Sequence, residues 1–122
     1  MSQVTIQNTT RPLPRPIYAN YCHTFIAKFR GLMLKPEIGK HEGVLLVEHR
    51  DSRMDTAIHM LFMRFDIAVV WINSEMTVVD ARLARKWQMV LAPARPARYV
   101  LETHPEQLQF FSIGDRVEFI HG

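Results

Sequence analysis

The stretch TAIHMLFMRFDIAVVWINSEMTVVD, Thr56 to Asp80, decides how this chain reads. Its longest strongly apolar run, Ile67 to Ile72, is rich in β-branched and aromatic residues, which predicts a strand buried on both faces rather than a helix. The turn-forming Asn73-Ser74-Glu75 then leads into Thr77 to Ala84, expected to pair back as a hairpin. The segment alternates well enough to assign faces, with Val79, Ala81 and Leu83 on one side and Asp80 and Arg82 on the other. Just ahead of the apolar run lie His59, Met60, Met63, Arg64 and Asp66, polar or soft groups crowded against a core element. A site is expected among them.

Downstream, Trp87 to Ala97 contains Pro93 and Pro96 and predicts a long surface loop. Arg98 to Thr103 reads as a strand, with Arg98, Val100 and Glu102 opposite Tyr99 and Leu101. Ile113-Gly114-Asp115 reads as a tight turn into a last strand, Arg116 to Ile120. Upstream, Val44 to Val47 reads as an inner strand, followed by a charged loop from Glu48 to Asp55. Thr24 is placed to cap a helix near residues 24–34, with Phe25, Phe29, Leu32 and Met33 on one face and Pro36 beyond its end. Residues 1–16 read as an N-terminal arm with an edge strand near Val4 to Ile6, since the alternate prolines of Arg11 to Pro16 cannot sit inside a sheet. Residues 17–122 form one domain. The expected class is mainly β (α+β), a compact antiparallel barrel or sandwich with one main helix.

Composition narrows the function classes. A chain of 122 residues, 48% hydrophobic and 22% charged, suits one globular core and argues against disorder. No apolar run approaches the roughly 20 residues of a membrane helix. The start, MSQVTIQNTTRPLPRP, lacks the basic and apolar regions of a secretory signal, so a cytoplasmic location is expected. The single cysteine, Cys22, cannot form an internal disulfide. Net charge is a modest +3, but Arg82, Arg85, Lys86, Arg95 and Arg98 lie between Asp80 and Glu102 with no acidic residue among them. Such a run is a solvated face or a contact for phosphate or an acidic partner.

Histidine titrates near neutrality as a residue type, so His59 can serve as acid, base or metal ligand, or simply as a histidine bonded to backbone at a strand end. Asp66 can pair with Arg64 at period-two spacing, or across the sheet with Arg98, either as structural glue or as part of a site. Met60 and Met63, with Met33 and Met89 elsewhere, fill core, line an adaptable pocket or offer thioethers to copper; core filling is the commoner use. Cys22 and His23 point to opposite faces and form no dyad. The other histidines lack metal-binding spacing, and no phosphate loop or nucleophile elbow is present, so neither metal nor cofactor is expected.

Taken together, Arg30-Gly31-Leu32-Met33, Gly43 with the apolar strand after it, Ile58 to Phe65 (IHMLFMRF), Ala97 to Glu102 (ARYVLE) and Gly114-Asp115 make the chain resemble the DUF192 family, also called UPF0127, over Tyr18 to Ile120. The resemblance implies a mostly β fold with one conspicuous helix and no established biochemical activity. It also implies an aspartate where this chain has Ala68; Asp66, two residues away, is the nearby carboxylate.

The sequence therefore reads as a small non-catalytic module that binds a ligand or a protein around His59, Met60, Met63, Arg64 and Asp66, with Arg30 and the Trp87 to Ala97 loop as rim. The alternatives are a small hydrolase or lyase with His59 as general base, and nucleic-acid or acidic-surface binding through the 82–98 basic stretch. Nucleic acid is disfavoured because Trp87 and Tyr99 are the available stacking partners.

Overall fold

The computed structural model describes residues 2–23, 37–60, 63–88 and 90–122. The helix expected near residues 24–34 and the rim residue Arg30 lie outside the described residues. Within them the chain forms strands β1 (Gln3–Asn8), β2 (Ile17–Cys22), β3 (Glu42–Ser52), β4 (Ile67–Ile72), β5 (Val78–Ala84), β6 (Ala97–Thr103) and β7 (Val117–His121), with a 3-10 helix at Pro105–Phe110. They make one sheet in the order β5-β4-β6-β3-β2-β1-β7. It curls into an open half-barrel, so the mainly β expectation holds in its barrel-like form rather than as a sandwich.

Two features depart from a simple antiparallel meander. β2 and β3 run parallel, with Tyr18 opposite Glu42 and Cys22 opposite Leu46; parallel neighbours cannot be joined by a hairpin, so the chain must cross over between them. β1, expected at an edge, lies inside the sheet between β2 and β7. The two edge strands, β5 and β7, approach each other at one rim, where Thr77 bridges Arg116. There the Val78 amide donates to the Asp115 carbonyl and the Gly114 amide to the Val78 carbonyl, both at 2.8 Å. Gly114 has φ +96°, a conformation that favours a residue without Cβ. Asp115 Oδ2 accepts from the Ser112 amide, from Asn8 Nδ2 at 2.8 Å and from Arg11, tying the turn to the proline-rich arm.

β4 is buried along its whole length. Ile67, Val69 and Trp71 pack in one apolar cluster with Ile58, Met60, Met63, Leu91 and Val100. Val70 and Ile72 face the hollow of the half-barrel with Ile6, Ile17, Leu45 and Leu101. A period of two thus feeds two cores. On β5 the expected alternation breaks, because the register shifts between Trp71/Asp80 and Ile72/Val78 and leaves Val79 as the extra residue of a bulge. Val79 consequently packs with Trp71, whereas Ala81 packs on the opposite side with Val78. β3 also runs farther than expected, through residues read as a charged loop, since its outer end projects past the core as an exposed ribbon. Gly43 admits the close crossing of β3 and β6: a Cβ there would lie 2.9 Å from the Glu102 carbonyl.

Candidate functional site

Residues 53–60 and 63–66 of one connection and 85–88 and 90–96 of another cover the Trp71 side of β4 and are knitted into one platform. Ile58 and Leu91 exchange backbone hydrogen bonds at 2.8 and 2.9 Å, the Met60 amide donates to the Gln88 carbonyl, and the Trp87 amide donates to the Met60 carbonyl. Arg53 Nε reaches the Pro93 carbonyl at 2.8 Å. Trp71 Nε1 supports the first segment from below by donating to the Thr56 carbonyl at 2.8 Å.

The second loop is held by Asp80 and Arg82. Asp80 Oδ2 accepts from the Ala94 amide at 2.8 Å and pairs with Arg82 Nε at 3.2 Å. Arg82 also donates to the Ala92 carbonyl and lies over the Trp71 ring. Buried polar groups persist when paired in this way. The alternation had put Asp80 and Arg82 on one face of β5, but their attachment to Ala92 and Ala94 is a contact between separate elements that the pattern of one strand does not show.

On top of this frame the platform opens a shallow apolar groove of about 330 Å³, lined by Arg53, Met54, Ala57, Val90 and Ala92. Met54 is 87% exposed and Val90 65%. Large apolar side chains held together in solvent mark interaction surfaces more often than isolated ones do. Both connections are rich in apolar residues, so the sequence did not separate the exposed Met54 and Val90 from neighbours such as Ile58 and Leu91 that pack inside.

The expected site residues separate by burial. Met60 and Met63 belong to the core cluster behind the platform. His59 and Arg64 are exposed, and neither has a hydrogen bond or ion pair among the described residues. Asp66 is half-buried, and its Oδ1 accepts from the Lys86 amide at 2.8 Å, which fastens the start of β4 to the second loop. It pairs with neither Arg64 nor Arg98 among the described residues, because β4 begins at Ile67 and residues 64–66 lie in a bend where period-two spacing does not apply. The basic stretch divides likewise. Arg82 and Arg98 serve the structure, Arg98 by donating to the Glu48 carbonyl at 2.9 Å and lying over Tyr99. Arg85, Lys86 and Arg95 are exposed.

One titratable group was not singled out from sequence. Glu102 on β6 lies between Val44 and Val69, 8% exposed, on the apolar face it shares with Val100. Burial pushes its carboxyl up to about 7. The Cys22 thiol is also pushed up, first by its own burial and then by the Glu102 charge. Among the described residues, no group of three or more His, Cys, Asp or Glu side chains is placed to hold a metal ion. No helix among them is long and apolar enough to cross a membrane.

Comparison with known proteins agrees with this architecture. The model of the DUF192 family, described as an uncharacterized ACR, matches residues 4–119. A UPF0127 protein of Thermococcus gammatolerans is 42% identical over 65% of this chain and 50% of its own. A second, from Thermococcus kodakarensis, is 38% identical over 65% of this chain and 48% of its own. The matched part thus spans about half the length of these two relatives. A UPF0127 protein of Pyrococcus furiosus is 33% identical over 92% of this chain and 95% of its own. Among solved structures, a proposed transcription regulator from Sinorhizobium meliloti superposes with a TM-score of 0.83 at 17% identity, over 97% of this chain and 92% of its own. A protein of unknown function from Novosphingobium aromaticivorans does so with a TM-score of 0.78 at 20% identity, over 95% and 83%. At such identities the likeness concerns the fold alone.

Proposed function

This chain belongs to the DUF192 family, and we propose that it acts there as a non-catalytic binding module whose recognition surface is the two-loop platform. The observation that carries the reading is the solvent-open groove of Met54, Ala57, Val90 and Ala92 with Arg53 in its wall. Methionine suits such a surface because its unbranched thioether adapts to different partners. The exposed cations Arg85, Lys86 and Arg95 on the second loop, with Arg64 on the first, bias the platform toward negatively charged partners. The occupant of this reading is an acidic segment of a partner protein that inserts an aliphatic or aromatic side chain into the groove.

Selection from a peptide library, followed by fluorescence anisotropy on the enriched sequences, tests this. Peptides combining Asp or Glu with Leu, Phe or Trp are expected, with affinity that falls as salt rises because exposed charges are screened. Met54→Glu with Val90→Glu should weaken them about tenfold or more, a loss of ~1.4 kcal/mol. Enriched peptides that bind the double variant as well as the parent, or preferential capture of nucleic acid or anionic vesicles through the same cations, would overturn it.

A further inference from the structure

Away from the platform, the proline-rich arm, the turn before β3 and the 3-10 helix enclose a second hollow of about 200 Å³, whose wall includes Arg15, Lys40, His41, Gln107 and Phe110. Gln107 is 4% exposed. Its Nε2 donates to the Lys40 carbonyl at 2.5 Å, while its Oε1 has no hydrogen-bond partner. Turning the amide over would set Oε1 against the Lys40 carbonyl oxygen, so the carbonyl fixes the orientation and leaves Oε1 as the orphan. Nδ1 of His41, in the same wall, is buried without a partner as well. A buried polar atom left unpaired costs on the order of 1–3 kcal/mol, and two of them in the wall of one small hollow point to a group that pairs with both.

The charges around the hollow specify the rest. Arg15 is exposed and has no ion pair or hydrogen bond among the described residues. Lys40 Nζ pairs with Glu106 at 3.3 Å, but both side chains are largely exposed, so the pair is weak and exchangeable. Counting Arg15, Lys40 and Glu106, the rim carries one net positive charge. The ring of Phe110 supplies an apolar wall.

We propose that this hollow binds a small hydroxylated anion, with its phosphate or carboxylate on Arg15 and Lys40 and its hydroxyl groups paired with Gln107 Oε1 and His41 Nδ1. A guanidinium offers paired donors suited to either anionic group. Both unpartnered atoms are closed to solvent, so binding as proposed includes a slight opening of the wall. The Gln107 side-chain amide is the natural reporter of that movement.

The experiment is an NMR titration of the full chain with glycerol phosphate, glycerate, glycerol and inorganic phosphate, following the Gln107 side-chain amide and the His41 ring. Glycerol phosphate or glycerate should give saturable shifts at both reporters, and comparing the two assigns the anion as phosphate or carboxylate. Glycerol and inorganic phosphate, each with half of the required groups, should bind about tenfold more weakly. Arg15→Ala, at an exposed position, should weaken the charged probes about tenfold while leaving the melting temperature unchanged. Gln107→Leu should remove the preference for the hydroxylated anion over inorganic phosphate. The proposal fails if no probe saturates, if inorganic phosphate binds as tightly as the hydroxylated anions, or if Arg15→Ala makes no difference. Ordered water would then be the partner of both orphans.

Discussion

The Arg82 guanidinium lies 4.9 Å from the centroid of the Trp71 ring, so a cation from the edge strand caps the largest side chain of the most buried one. The contact couples core and platform: Trp71 holds Thr56 on one loop, while Arg82 holds Ala92 on the other. A cation over an indole contributes ~0.5 to 2 kcal/mol according to how far it is desolvated. Arg82→Ala should therefore cost ~1 to 2 kcal/mol and loosen residues 92–94. Chemical denaturation and amide exchange at Ala94 read the two effects separately.

Glu102 gives the fold a pH dependence of definite sign. Its carboxyl titrates at about 7 in the folded protein against 4.5 for the ordinary group. The protonated form is the one the fold tolerates, so its contribution is fully present below 4.5 and is lost as pH rises through 7. A shift of this size corresponds to on the order of 3 kcal/mol. Glu102→Gln should melt higher than the parent above neutral pH and show no decline across that window. A parent melting temperature that stays level through the same interval would contradict the assignment.

Asp115 acts in the opposite direction and at lower pH. Burial alone would raise its carboxyl, but hydrogen bonds from Asn8 and the Ser112 amide, then Arg11, hold it below the ordinary 3.8. Its contribution is present above 3.8 and disappears as pH falls through the lower folded value. Asp115→Ala leaves Asn8 and Arg11 without their acceptor and should cost ~2 kcal/mol, a cost that fades in acid. Thermal melts of both proteins over an acid series make the comparison.

Burial sorts the residues around β4 into two experimental classes. Met60, 1% exposed, should lose ~2 to 5 kcal/mol on replacement by alanine. His59→Ala and Arg64→Ala, both at exposed sites, should stay within about 0.5 kcal/mol of the parent. If these two variants also weaken the peptides selected on the platform, they belong to its recognition surface; unchanged affinity confines recognition to the groove and the cations of the second loop.

What the sequence disclosed follows the reach of local rules. β4 was legible because an unbroken apolar run has few other places to go, and the Gly114-Asp115 turn because its backbone and capping needs are local. The parallel pairing of β2 with β3 was not, since it depends on a crossover rather than on either strand's pattern. Val79 was misplaced because a bulge shifts the two-residue period without marking it, while Asp80 and Arg82 kept the common face that the alternation gave them. Glu102 had been placed beside Val100 on one face, and that neighbour was the clue that its carboxylate enters an apolar cluster. Asp66 misled because period-two reasoning was carried back to Arg64, three residues before the strand begins.

β1 has β7 as one of its two neighbours, with Val4 opposite His121. During synthesis the N-terminal strand must wait with one flank open until nearly the whole domain has left the ribosome, a long-range closure of the kind that slows folding. Shortening the chain from within β7 would bare a ladder edge in the interior of the sheet, and such an edge recruits strands from other molecules. Val4 and His121 meet at the seam where assembly finishes.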